Sequence, residues 1–216
     1  MVYRYQAASV PGFIQQLAVA YVTHGYYFYV AGHIPPGKPP ERIDRVLMQR
    51  YGIGLSRWQR ARRKLAGRAN LHYLRYEGFY VLIATKGEHE FFQRESAVIR
   101  DIRRHPVSFA GYSVGVGTDP HGRVHASVRI APEEYRWLKR FMVQFGRNAS
   151  VEEVAQEFRM LRFEPYRPVV RQVMSVLRAV NRTRKQAGLE TVPSDCVRMR
   201  RRVLRPFEDI PATRSA

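Results

Sequence analysis

Residues Asn70–Thr85, NLHYLRYEGFYVLIAT, decide the fold class of this chain. Two runs rich in aromatic and aliphatic residues, Asn70–Tyr76 and Phe79–Thr85, flank Glu77 and Gly78, which is the length and chemistry of a tight hairpin turn. The second run is apolar without alternation from Phe79 to Ala84, so its strand is expected to be covered on both faces, at the centre of a sheet.

Just ahead of the hairpin lies Ser56–Arg68, SRWQRARRKLAGR, with six Arg or Lys among thirteen residues and no acid. At about 100° per residue, Arg57, Arg60, Lys64 and Arg68 form one helical stripe and Trp58, Ala61, Leu65 and Ala69 another beside it. The apolar stripe is expected to dock on the protein and the basic one to meet phosphate, with Arg62 and Arg63 widening the positive surface. A solvated amphipathic helix with no ligand carries the same pattern, and the rest of the chain has to separate the two.

Working outward, residues 9–23 read as a helix with Ser9 as N-cap and Pro11 in its first turn, and Tyr26–Ile34, YYFYVAGHI, reads as a strand closed by a Pro-rich loop. Glu41–Tyr51 is a second helix, burying Ile43, Val46, Leu47 and Tyr51. After the hairpin, Glu88–Arg104 has helical spacing at Phe91, Glu95, Val98 and Ile102, and Val107–Val116 with Arg123–Ile130 makes another hairpin. Three helices follow: Pro132–Phe145 with Tyr135, Leu138, Phe141, Met142 and Phe145, a helix launched by the capping-box pair Ser150 and Glu153, and Val169–Ala187. This is an α+β chain with one mainly antiparallel sheet of about five strands and packed helices (residues 1–131), then a helical C-terminal section with a basic tail (residues 132–216). In architecture it resembles ferredoxin-like or RNA-recognition-type sheets, a likeness that assigns no residue a role.

The 216 residues include 37 Arg and Lys against 18 Asp and Glu, a formal charge of +19, and all but five of the 37 are Arg. Such self-repulsion exceeds what solubility needs and points to a polyanionic partner, and the guanidinium fork suits phosphate. Charge concentrates a second time between Arg171 and Arg205, where Arg182, Arg184, Lys185, Arg198, Arg200, Arg201 and Arg202 are candidate phosphate contacts. Cys196 is the single cysteine, so no internal disulfide or Cys-based zinc cluster forms. Its arginine neighbours are expected to depress its thiol pKa. No apolar run approaches the roughly 18 residues of a membrane span, and no secretory signal is evident. These features together suggest a cytoplasmic protein without membrane contact.

Tyr26, Tyr27, Phe28 and Tyr29 are four successive aromatics on one strand. Alternation sends two to each face, and Tyr27 and Tyr29 are the candidates for stacking on bases. The seven histidines form neither a His-hydrophobe-His triplet nor a His-Glu-x-x-His pair. His121 and His125 would stand roughly 13 Å apart on a strand, and Asp44, Asp101 and Asp119 are isolated, so no metal site and no cofactor is expected. Acid–base chemistry would have to come from His24, Lys86 and His89, although Thr85 capping a helix with acids at its N-terminus explains the last two without catalysis. The glycines of GYSVGVGTDPHG do not match a phosphate-binding loop. The leading expectation is nucleic-acid binding, RNA or DNA, through the Arg-rich helix and the C-terminal section. The alternatives are a metal-independent RNA endonuclease, and a structural subunit of a ribonucleoprotein or mobile-element complex whose C-terminal helices dock a protein partner.

Overall fold

The computed structural model describes residues 3–197, 199 and 204–208. Strands β1 (Tyr26–His33), β2 (Leu71–Tyr76), β3 (Phe79–Thr85) and β4 (Arg100–Asp101) form a sheet in the order β2-β3-β1-β4, with every pairing antiparallel. The β2–β3 hairpin turns where its sequence requires, with Tyr76 opposite Phe79. Glu77 occupies the left-handed region at φ 50°, and Arg75 Nη1 donates to its carbonyl at 2.8 Å. Because β3 lies between β2 and β1, Val81, Leu82, Ile83 and Ala84 are all buried, which is why no polar residue interrupts that run.

Both faces of the sheet are covered. On one, Leu71, Tyr73, Leu82 and Ala84 pack with Tyr51, which follows α2 (Pro40–Arg50), and with Phe91 of α4 (Glu90–Arg94). On the other lies α1 (Val10–Gln15), capped by Ser9 and continued as a π-helical turn over Gln16–Tyr21 and a 3₁₀ turn over Val22–His24. Phe13, Ile14, Leu17 and Tyr21 are buried there; the Phe13 ring meets Phe79 at 5.6 Å and Tyr21 stacks on His72 at 4.5 Å.

A buried ion pair fastens α2 to the sheet. Asp44 is fully buried and Arg75 is 2% exposed. Arg75 Nε and Nη2 donate to the two Asp44 oxygens at 2.9 and 3.0 Å, and the Tyr73 hydroxyl donates to Oδ1 at 2.6 Å. Both carboxylate oxygens thus find protein donors in the interior, which offsets the loss of solvent around the pair.

The single sheet of about five strands is replaced by two antiparallel sheets, of four and three strands. The second contains β5 (Val107–Phe109), β6 (Tyr112–Thr118) and β7 (Val124–Ile130). The expected helix Glu88–Arg104 is cut to α4, because the chain turns back after Glu95 to form β4. Arg100 and Asp101 pair with Tyr29 and Phe28, so β4 takes the edge of β1 that a further hairpin would have needed.

The chain divides into two compact units. The first contains the described residues up to Val107, residues 114–127 and residues 204–208; the second contains Ser108–Ser113 and the described residues from Val128 to 199. Residues 204–208 return to the first unit, where Ala8 N donates to the Pro206 carbonyl at 2.9 Å. The second unit has the three helices expected, α5 (Pro132–Phe145), α6 (Val151–Arg159) and α7 (Arg167–Gln186), which bury Leu138 and Met142, Val154 and Phe158, and Val173, Val176, Leu177 and Val180. The Ser150–Glu153 capping box opens α6, with bonds of 2.7 and 3.2 Å. No described helix is long and apolar enough to cross a membrane.

Candidate nucleic-acid interface

The Arg-rich stretch forms α3 (Arg57–Leu65), a helix fixed at both ends. Ser56 is the N-cap of a capping box, accepting from Gln59 N at 3.3 Å while Gln59 Oε1 accepts from Ser56 N at 2.8 Å. At the other end Gly67 N donates to Lys64 O and Arg68 N to Arg63 O, with Gly67 at φ 70°, the Schellman arrangement that only a left-handed residue permits. Arg68 therefore lies past the helix rather than on its stripe. The exit is then pinned to the loop after β3: Glu88 N donates to Gly67 O at 3.0 Å and Ala69 N to Glu88 O at 3.1 Å. Gly87 makes this approach possible, since a Cβ there would lie 2.6 Å from both Ala69 N and Gly67 O.

The apolar stripe does not dock as expected, and no residue of α3 is buried. Trp58 is 80% exposed and Leu65 90%, Ala61 is exposed, and Ala69 alone of that stripe is buried. The inward side is polar instead. Arg60 Nη1 donates to the Leu55 carbonyl, and Arg63 Nε and Nη2 donate to the Ala69 carbonyl at 3.2 and 3.1 Å. Asn70 Nδ2 bonds the Arg60 carbonyl at 3.0 Å. These guanidinium groups satisfy carbonyls before and after the helix that have no ladder partner, and this fixes which side faces inward. Arg57, Arg62, Lys64 and Arg68 are left exposed, and none of them pairs with a carboxylate among the described residues. Trp58 makes no ring contact with another described aromatic.

Arg63 and Arg68 also line a depression of about 650 Å³ with Glu88, His89 and Glu90. His89, rather than Thr85, is the N-cap of α4: its Nδ1 accepts from Phe91 N at 3.1 Å, while the Thr85 hydroxyl accepts from Asn70 N. Burial and the nearby Arg63 hold the imidazole below its ordinary pKa. A neutral ring accepting at Nδ1 carries its proton on Nε2, so His89 offers no free base unless it gives up the cap. His24 and Lys86 are exposed and do not line this depression, so the three acid–base candidates are not assembled into one site.

The tyrosines of β1 are taken up by the fold. A bulge between Tyr26 and Phe28 breaks the alternation, so Tyr26 and Tyr29 are both buried, and the Tyr29 hydroxyl donates to the His105 carbonyl at 2.9 Å. Tyr27 is half-buried beneath the Arg103 guanidinium, whose Cζ is 4.9 Å from the ring centre. Arg103 is held there by Asp101 at 2.6 Å, which lowers the Asp101 pKa. Neither tyrosine presents the open ring expected of a stacking residue.

In the second unit, Arg182 and Lys185 are exposed on α7, but Arg184 is only 3% exposed. Its guanidinium donates to the carbonyls of Glu190, Gly146 and Ala149 at 2.6, 2.8 and 2.7 Å, tying the ends of α5, α6 and α7 together instead of meeting solvent. Arg198, Arg200, Arg201 and Arg202 lie outside the described residues. Cys196 is buried, and burial with the Asp195 charge raises its thiol pKa, reversing the depression expected from neighbouring arginines. Among the described residues no group of three or more His, Cys, Asp or Glu is placed to hold a metal ion.

Two features went unread in the sequence. Trp137, Phe141 and Phe145 form a stacked ladder on α5, the first two exposed and Phe145 half-buried, with ring centres 5.3 and 5.8 Å apart and planes within 7° of parallel. The i, i+4, i+8 spacing signals it, but the overlapping Leu138 and Met142 stripe draws Phe141 and Phe145 to the inner face in a helical projection. His72 lies between Tyr3 and Tyr21, its Nδ1 3.1 Å from the Tyr3 hydroxyl, and burial with the nearby Arg60 charge lowers its pKa to about 4. No local sequence signal marks that cluster, because its members come from four separate segments. Compared with known proteins, the chain matches no family model, and no curated protein or solved structure is significantly similar to it.

Proposed function

We propose that this protein binds nucleic acid through the outward face of α3. The observation that carries the reading is the state of its cations: Arg57, Arg62, Lys64 and Arg68 are exposed on a short, doubly capped segment without an acidic residue, and none is neutralised by a carboxylate among the described residues. A fixed helix with uncompensated guanidinium groups lowers the reorganisation needed to meet a phosphate backbone. Arg182 and Lys185 on the second unit add exposed charge of the same sign.

The architecture supports the reading in a modified form. We read the antiparallel order β2-β3-β1-β4 as a variant of the sheet on which RNA-recognition modules stack bases across an open face. Here that face lies under α1, so the sheet serves as scaffold and α3 as the contact element. A cytoplasmic setting with RNA or DNA as partner belongs to the same proposal. Fluorescence anisotropy with labelled DNA and RNA at 50 mM salt tests it. Binding that weakens steeply with added salt is expected, and no binding to either polymer rejects the reading.

A further inference from the structure

We infer that the ligand of α3 is single-stranded nucleic acid, and that Trp58 is the residue on which an unpaired base stacks; this rests on the nucleic-acid reading above. Trp58 is the large aromatic that the first unit leaves most open, 80% exposed, on the face that α3 turns to solvent. Arg57 is its neighbour in sequence and Arg62 follows one turn later, about 6 Å along the axis, so a base against the indole would have a guanidinium within reach of the phosphate on each side. Leu65, 90% exposed and seven residues on, extends the apolar row toward a neighbouring base or sugar.

The same features disfavour a duplex. Paired bases have their faces stacked on one another, so a duplex would meet Trp58 and Leu65 with hydrated phosphates and polar groove edges, against which burial gains little. A single strand has free π-faces, and stacking with an adjacent cation supplies affinity without sequence selection. No other aromatic set in the described residues offers the same combination. Tyr29 is buried, Tyr27 is covered by Arg103, and the Trp137, Phe141 and Phe145 rings are stacked on one another. An anionic membrane would also attract the charge, but an outward apolar row of Trp58, Ala61 and Leu65 on a nine-residue helix gives little to insert.

The sequence has two tryptophans, so the full-length chain with Trp137→Phe reports on Trp58 alone. Its emission is followed against mixed-sequence 20-mers of DNA and RNA, against the matching duplexes, and against vesicles of phosphatidylcholine and phosphatidylglycerol. Quenching by single strands is expected, with tighter binding than to duplexes. Trp58→Ala should weaken single-strand binding roughly ten-fold while Trp58→Phe retains most of it and duplex affinity changes less than about two-fold. Equal affinity for duplex and single strand, or a Trp58→Ala variant that binds single strands as wild type does, overturns the inference and leaves the nucleic-acid reading standing. Binding to no oligonucleotide overturns both, and quenching by vesicles alone replaces them with a membrane surface.

Discussion

Replacing Arg62 and Lys64 together by glutamine perturbs the proposed interface while leaving the fold untouched, since both side chains are exposed and glutamine keeps a good helix propensity. Four cations on and just after α3 are free to neutralise phosphates, and on a single strand each contributes about 0.7 to the slope of log affinity against log salt. Their joint contribution is then about 3, and the double variant removes about 1.4 of it. Between 50 and 200 mM salt this part of the affinity should fall roughly 50-fold in wild type and roughly 7-fold in the variant. Anisotropy titrations of a labelled 20-mer at four or five NaCl concentrations measure both slopes directly. Arg184→Gln is the control: it removes a cation of equal charge that is bonded to three carbonyls, so the slope should hold while the urea midpoint drops. Equal slopes for wild type and the Arg62, Lys64 variant refute the assignment of α3 as the phosphate contact, whatever the overall affinity.

Three further outcomes follow from the first unit. Asp44→Asn strands the buried Arg75 guanidinium without its counter-charge and should cost about 3 to 5 kcal/mol, read as a lowered urea midpoint; a midpoint within error of wild type would show that the pair contributes nothing. Gly87→Ala forces a Cβ against the Ala69 and Gly67 backbone at φ 140°, and should both destabilise the fold by on the order of 2 kcal/mol or more and loosen the exit of α3, lowering oligonucleotide affinity in the same variant. His72 has a folded pKa of about 4, below its ordinary value of 6.5, so the native state stays neutral where the unfolded chain takes up a proton. The stability this confers is full above about pH 6.5 and is lost as pH falls toward 4, by on the order of 3 kcal/mol. Denaturation curves of wild type and His72→Gln at pH 7.5 and 4.5 check it, the variant being expected to lose less on acidification.

What the sequence made legible was set by local chemistry. The Phe79–Ala84 run announced a two-sided strand because nothing polar survives between β2 and β1, and the Ser150–Glu153 box announced α6 because a cap is a contact between residues three apart. The failures share the opposite property. Phe91, Glu95, Val98 and Ile102 are spaced as on a helix, yet Val98 is 54% exposed and the chain instead reaches β1, where Ile102 N donates to the Tyr27 carbonyl at 2.8 Å. That bond joins residues 75 apart and has no local trace. The bulge at Tyr27 likewise shifts the phase of β1 by one residue and buries Tyr29 with Tyr26. A helical projection of α3 separates a basic from an apolar stripe, but neither is buried, because the helix is held by Arg60 and Arg63 bonding backbone carbonyls at its two ends.

A net charge of +19 describes the chain only in aggregate. Residue by residue, the cations include two groups that composition cannot distinguish. Arg60, Arg63, Arg75 and Arg184 are construction elements, whose planar forks bond backbone carbonyls at the ends of helices, at a turn and between segments, with Arg75 also holding a buried carboxylate. A lysine with its single ammonium would serve less well there, which gives the prevalence of arginine a structural cause independent of any ligand. Arg57, Arg62, Lys64 and Arg68 have no such employment. On α3, Arg60 and Arg63 hold the helix from one side, and Trp58 and the unpaired cations are left exposed together. The bonds that anchor the helix thus leave an open indole and free guanidinium groups to solvent, the combination that an unpaired nucleotide strand requires.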